Sequence, residues 1–297
     1  MSKNIILHAG DNSVAIDNCN LKLANAINEK TKGGPIKTKI TFRNHDTGEV
    51  LGEYHNKVVI TGSQANACAL FGLDKLVNFP TYNTEMGLDN SDDESETPKN
   101  DSIVCLFCVA DSGCGTTPKD VLVANYTGRL KPAPANPTSI DDFDSSMIMP
   151  FRYVDTDNDI DDDLRQYYFG RKTFTNLGKI GYYFKRFDTQ PQLHLVYADG
   201  TPITRDMYNV DSDQLAECYV DMRLRITRLD FRDYFENVLG WDKARISSLS
   251  LCLAWYDDTI DNYVYYQDIT PYTVLNFSYQ PLVDATMAVD IEYQVYY

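Results

Sequence analysis

The closest approach to a metal-binding pattern in this chain is Cys105 and Cys108, with Cys114 six residues further on. A structural zinc site needs four cysteine or histidine ligands, usually in two close pairs. A second pair is missing, and the four histidines are scattered at positions 8, 45, 55 and 194. If 103–110 is a strand, Cys105 and Cys108 also point to opposite faces. We therefore expect a buried strand followed by a turn, with a zinc site as the alternative.

The segment 155–163 resembles the start of a calcium-binding loop, because six of its nine residues are aspartates. An EF-hand loop requires glycine at its sixth position and a bidentate glutamate at its twelfth. Ile160 and Gln166 stand at those positions, which excludes an EF-hand. We favour a solvated loop that binds a basic patch on a partner, with Asp157, Asp159 and Asp161 as candidate interface residues. An irregular cation site, serving a metal-dependent hydrolase, is the alternative.

A nucleophile is the other chemistry to test, because small residues surround Ser112 and Cys114 in Asp-Ser-Gly-Cys-Gly. A nucleophile elbow requires Gly-x-Ser-x-Gly, or its cysteine counterpart, together with a partnered histidine. The sequence has neither at this place. We therefore expect a protein that is not an enzyme, with no catalytic residues, no metal and no cofactor.

Two segments repeat one aromatic and cationic pattern, Tyr-Tyr-Phe followed by two cations, starting at Tyr167 and at Tyr182. Tyrosine and arginine are enriched in the residues that dominate binding at protein interfaces. The pattern indicates an interface, and an amphipathic strand with core rings is the equal alternative. The candidate interface residues in these segments are Tyr167, Tyr168, Phe169, Arg171, Tyr182, Tyr183 and Arg186.

Composition limits the classes of function. The chain has 297 residues, 43% of them hydrophobic, which is enough for a substantial core and predicts two domains. Its net charge is −16, concentrated in 89–101 and in the nine aspartates of 141–163, so we expect no direct binding to nucleic acid. No apolar run approaches the length of a membrane span, and the N-terminus has no secretory signal. We expect a soluble protein made in a cytoplasm, with its seven cysteines reduced.

Hydrophobic periodicity predicts mainly strands. Strict alternation over 288–297 and 218–227 is typical of strands with one buried face. Two helices are expected, one from Ser63 to about Phe71 and one over 231–239, capped by Asp230 and ended by Gly240. Three prolines in 131–139 indicate a linker that continues to about Pro150.

These elements predict a mainly β protein, built of antiparallel β-sandwich domains with a few short helices. Residues 1–140 are expected to form a β-rich N-terminal domain, and 141–164 an acidic linker or loop. Residues 165–297 are expected to form a C-terminal antiparallel sandwich with one embedded helix.

Residues 165–297 resemble structural proteins of tailed bacteriophages, especially tail, neck and baseplate components of contractile-tailed phages. The resemblance depends on Phe-Gly-Arg-Lys-Thr-Phe from Phe169, Tyr-Tyr-Phe-Lys-Arg-Phe-Asp from Tyr182, the run from Ala244, and the terminal Asp-Ile-Glu-Tyr-Gln-Val-Tyr-Tyr. The chain departs from the common form at Pro271, which displaces an aromatic residue.

The resemblance implies a structural subunit of a virion that is assembled in the host cytoplasm. Its expected partners are other virion structural proteins and further copies of itself, with no direct nucleic acid and no membrane. A carbohydrate- or peptide-binding β-sandwich module, with the tyrosines as a stacking platform, is the alternative function.

Overall fold

The structure is a computed structural model that describes residues 37–58, 81–88, 102–117, 120–123, 129–197, 199–202, 215–257, 265–282 and 288–296. Two of the predicted features lie outside the described residues: the helix from Ser63 to about Phe71 and the acidic stretch 89–101.

Strands dominate the described residues, which confirms the predicted mainly β fold. They are β1 (Lys37–Asn44), β2 (Val50–Val58), β3 (Ser102–Ala110), β4 (Arg152–Val154), β5 (Tyr168–Phe174), β6 (Lys179–Arg186), β7 (Gln192–Tyr197), β8 (Leu215–Ile226), β9 (Arg245–Asp257), β10 (Tyr265–Pro281) and β11 (Val289–Tyr296). The helices are short: Tyr82–Met86, Asp162–Arg165, Arg232–Tyr234 with its π-helical continuation Phe235–Leu239, and the 3₁₀ turns Ile140–Asp142, Asp157–Asp159 and Trp241–Lys243. None of the helices in these ranges is long and apolar enough to cross a membrane.

The first antiparallel sheet has the order β2-β1-β11-β8-β7 and places the last strand of the chain at its centre. Ile291 of β11 lies opposite Phe42 of β1 and Leu224 of β8, and all three side chains are fully buried. The alternation predicted for the terminal strand is thus confirmed. Asp290, on the other face, is buried as well, because Arg225 of β8 and His45, which follows β1, pair with it.

The second antiparallel sheet runs β6-β3-β9-β10, with β4 and β5 both paired to β6. The end of β2 joins the two sheets, since Lys57 and Val58 pair with Val274 and Thr273 of β10. Each sheet contains strands from before and from after the segment 141–164, since β1 pairs with β11 in the first sheet and β3 pairs with β9 in the second.

Aromatic rings fill the space between the two sheets. The ring of Phe42 in the first sheet lies 4.8 Å from the ring of Phe277 in the second, and Tyr54 packs against both. The hydroxyls of Thr273 and Tyr293 are 2.8 Å apart and form a hydrogen bond across the same space. Face-to-face packing of this kind is the arrangement expected of a sandwich.

The proline-rich stretch and the acidic segment behave differently from the predicted linker. Apolar residues of this region are buried, among them Leu130, Ala133, Phe143 and Ile148, each at most 6% exposed. The amide of Ile148 donates to the carbonyl of Lys131, so the two ends of this stretch lie side by side. The prolines prevent regular structure, but the apolar residues between them and between the aspartates anchor the chain to the core.

The helix predicted over 231–239 forms, but Asp230 does not cap it. Phe231 occupies the N-cap position with a positive φ of 63°, and the helix changes from α to π at Phe235. The carboxylate of Asp230 turns into the core and pairs with Lys185, because a buried ammonium group is a stronger partner than a helix end. Gly240 ends the helix as predicted, with a φ of 85° and its amide bonded to the carbonyl of Phe235.

Candidate functional site

The aspartates of the acidic segment fold their own turns. Asp142 accepts hydrogen bonds from the amides of Thr138 and Ser139, and Ser139 in turn accepts from the amide of Asp141. In the second turn Asp159 accepts from the amide of Thr156 at 2.8 Å. Carboxylates that cap the start of a short helical turn satisfy amides that would otherwise lack a partner. The sequence therefore folds locally into two turns that hold acidic groups at the surface.

Buried rings fix these turns to the sheet. Phe143 directly follows the first turn, and its ring lies 5.5 Å from that of Phe174 at the end of β5. Tyr153 of β4 and Ile160, each only 2% exposed, hold the second turn from both ends. Between these anchors, Asp155 has 71% of its side chain exposed. The segment is therefore a folded platform that presents carboxylates, rather than a free chain.

Asp157 binds two of the other predicted interface residues, Arg171 and Tyr182. Its carboxylate accepts hydrogen bonds from Nε and from Nη2 of Arg171, each at 3.1 Å, which makes a bidentate ion pair. The hydroxyl of Tyr182 donates to the same carboxylate. The guanidinium of Arg165 lies 4.3 Å from the centre of the Tyr182 ring and adds a cation–π contact.

This arrangement shifts two titrations. Partial burial alone raises the pKa of Asp157, but the hydrogen bonds from Arg171 and Tyr182 outweigh it, so that its pKa lies below the usual range. Burial and the hydrogen bond to Asp157 raise the pKa of Tyr182 to about 12. At neutral pH the group is therefore a carboxylate, a neutral phenol and two guanidinium ions, which suits a structural ion-pair cluster more than proton transfer.

The structure separates the predicted interface residues into two sets. Tyr168, Tyr182 and Tyr183 are at most 1% exposed and belong to the core. The half-buried or exposed ones are Tyr167, Phe169, Arg171, Arg186, Asp157, Asp159 and Asp161. The interface hypothesis stays a prediction for this second set. The first set lies in the core, where Tyr82 of the helix Tyr82–Met86 packs on Phe184 of β6 and Phe174 of β5 packs on Tyr183.

A buried charged cluster lies under the predicted residues and was missed by the sequence analysis. Lys185 donates to Asp230 at 2.5 Å, and the hydroxyl of Tyr168 donates to the other oxygen of Asp230 at 2.7 Å. The guanidinium of Arg152 lies 5.7 Å from the centre of the Tyr168 ring and 3.4 Å from Asp233. The available signal was the position of Lys185 directly after three aromatic residues, in a pattern for which the sequence indicated an interface or an amphipathic strand.

The other chemical motifs have structural roles. Asp111 accepts from the hydroxyl of Ser247 at 2.8 Å, and that hydroxyl also accepts from the amide of Gly113, so the small-residue turn is tied to β9. The sulfur of Cys108 lies 3.8 Å from that of Cys252, inside the core. Across the residues that the structure describes, no three side chains of His, Cys, Asp or Glu are grouped so that they could hold a metal ion.

Comparisons with known proteins give no relative to reason from: no protein-family model, no curated protein and no solved structure matches the chain significantly.

Proposed function

We propose that this chain is a non-enzymatic structural subunit of a bacteriophage virion, placed in the tail, neck or baseplate. The observation that carries the proposal is the folded platform of 141–164, which presents exposed aspartates on turns anchored in the core. A rigid surface loses less conformational entropy on binding than a free linker does. Together with the resemblance of 165–297, this supports a role in binding neighbouring subunits.

The charge of the platform supports the choice of partner. Asp159 is exposed in the second turn, and Asp155 and Asp161 are exposed on either side of it. A surface of one sign steers association with a surface of the opposite sign and repels nucleic acid. The partner surface is therefore basic, on another virion protein or on another copy of this chain.

The alternative, a module that binds carbohydrate or peptide on a tyrosine platform, has less support. Stacking on a sugar or peptide needs the face of a ring at the surface. Tyr168, Tyr182 and Tyr183 are buried, and the hydroxyls of the first two bind the carboxylates of Asp230 and Asp157. These tyrosines stabilise the fold and offer no face to a ligand.

Light scattering of the purified chain at several concentrations, with negative-stain images of any large species, tests the proposal. We expect a discrete ring or another closed assembly, alone or after addition of candidate virion proteins. A chain that stays monomeric alone and with every such protein contradicts it.

A pair of matched variants tests the role of the platform. Asp161→Asn with Asp163→Asn removes two charges from it, and asparagine keeps the N-cap preference at position 161. Glu236→Gln with Asp242→Asn removes two exposed charges elsewhere. We expect the first variant to assemble more slowly and with weaker dependence on salt, and the second to assemble as the parent does. Equal behaviour of the two variants contradicts a specific role for the platform.

A further inference from the structure

Three tyrosines from three separate elements meet in the core beneath the acidic platform. Tyr153 comes from β4, Tyr183 from β6 and Tyr234 from the helix Arg232–Tyr234, and they are 2%, 0% and 0% exposed. The rings of Tyr153 and Tyr234 are 5.9 Å apart. Phe143 lies about equally far from both, at 6.2 and 6.1 Å, and Phe174 contacts Tyr153 and Tyr183 at 6.1 and 6.4 Å.

The hydroxyls of these three tyrosines are the unusual feature. Each hydroxyl oxygen is inaccessible to solvent, and none has a hydrogen-bond partner among the described residues. The three groups also interact electrostatically: burial is the main cause that raises the pKa of Tyr183, and the neighbouring Tyr234 and Tyr153 raise it further. No hydrogen bond joins any two of the three hydroxyls, although their rings belong to one aromatic cluster.

An unpaired buried hydroxyl is costly, and three in one place are rarer still. Native proteins give nearly every buried polar atom a partner in the protein or in ordered water. Each unsatisfied hydroxyl lowers the folding constant roughly tenfold or more. A buried water typically makes about three hydrogen bonds to polar groups that otherwise lack partners. Three unpaired phenols in one aromatic cluster have the number and the chemistry that such a water requires.

We infer that the hydroxyls of Tyr153, Tyr183 and Tyr234 bind a buried water molecule. The water joins β4, the strand that leads into the second acidic turn, to β6 of the sheet and to the helix Arg232–Tyr234. Phe143 and Phe174 pack against the three tyrosines, whose hydroxyl oxygens are inaccessible to solvent. A hydrogen bond shielded from solvent in this way is electrostatically stronger than one in water. The water then helps to hold the platform in a fixed position on the sheet.

Unfolding of tyrosine-to-phenylalanine variants in urea tests the inference by the sign of the change. Removal of a hydroxyl that has no partner leaves the folding constant unchanged or raises it. Removal of a hydroxyl that binds the water lowers the constant, and we expect about a tenfold loss for Tyr153→Phe, Tyr183→Phe or Tyr234→Phe. The folding constant of the triple variant should fall by far less than the product of the three single decreases, because no polar atom is then left unpaired. Single variants as stable as the parent overturn the inference.

A count of long-lived internal waters by magnetic relaxation dispersion gives a second readout. The triple variant should hold one such water fewer than the parent protein. Tyr168→Phe is the control, since its hydroxyl bonds to Asp230 at 2.7 Å, and it should lose stability without losing a water. An unchanged count in the triple variant overturns the inference, even if the single variants are destabilised.

Discussion

The ammonium group of Lys185 donates a hydrogen bond of 2.5 Å to the carboxylate of Asp230 at a place where the Asp230 side chain is completely buried. The same carboxylate accepts from the hydroxyl of Tyr168 and from the amide of Thr227. The pair thus joins β6, β5 and the turn that follows β8. A buried charge is tolerated only when it is paired and hydrogen-bonded, so this pair is sensitive to the loss of either partner.

Lys185→Met should lower the free energy of unfolding by about 3 kcal/mol, because it leaves the carboxylate of Asp230 buried without a countercharge. Adding Asp230→Asn should restore part of this loss, since the neutral amide removes the buried charge, its oxygen can still accept from the amide of Thr227, and its nitrogen can donate to the hydroxyl of Tyr168. Urea unfolding of the single and double variants measures the coupling. The control is Lys131→Met, which removes a lysine from a half-exposed pair with Asp144 and should cost less than about 1 kcal/mol. Equal losses for the two lysines contradict this prediction.

The lowered pKa of Asp290 leads us to expect a loss of stability in acid. Burial raises its pKa, but hydrogen bonds from Arg225 and His45, both at 2.8 Å, more than offset burial and lower it. The unfolded group has a pKa of about 3.9. Its stabilising contribution is therefore complete above that pH and is lost as the pH falls through the lower folded pKa.

Asp290→Asn should accordingly be less stable than the parent at pH 7, and its stability should fall less on acidification from about pH 5 to about pH 2. Thermal unfolding across this range measures both effects. Asp46→Asn, which alters an exposed pair with Arg228, should follow the parent curve. A parallel curve for Asp290→Asn would show that the carboxylate adds nothing to the pH dependence.

Tyr182→Phe should raise the pKa of Asp157, because the hydroxyl is one of the two hydrogen-bond donors that lower it. The same change should cost about 1.5 to 3 kcal/mol of stability, the usual range for a hydrogen bond to a charged group. Carboxyl titration followed by NMR measures the first effect and urea unfolding the second. Tyr167→Phe provides a half-buried control in the neighbouring pattern, for which the titration of Asp157 should be unchanged. An unshifted Asp157 in the Tyr182 variant is the contrary result.

Gly113→Ala should destabilise the fold by about 2 kcal/mol or more, because its methyl group would lie 1.9 Å from the carbonyl oxygen of Ser247. That oxygen belongs to the backbone of β9, which cannot move without disturbing its pairing with β3. Gly178→Ala is a control with open space around the new methyl group and a φ of 60°, so only the backbone preference changes, by about 1 kcal/mol. Thermal melts that rank the two variants in the opposite order would contradict the close packing of this turn.

Local pattern was sufficient for part of the architecture. The alternation in β11 and β8 follows from the period of a strand, so the residues that face the core could be named without knowing the partners. The end of the helix at Gly240 was likewise predictable, because a positive φ is nearly free for glycine. The exclusion of an EF-hand depended only on which residues occupy two fixed positions.

Only the tertiary structure decided which surfaces these elements share. β6 carries large residues on both faces, so its sequence could not tell whether Tyr182 and Tyr183 point to solvent or to a second layer, and both are buried. Asp230 has the side chain of a helix cap, but the distant Lys185 competes successfully for it. The order β1-β11-β8 joins strands far apart in the chain. Strand period and turn chemistry are local properties, whereas burial, ion pairing and strand order depend on residues that meet only after folding.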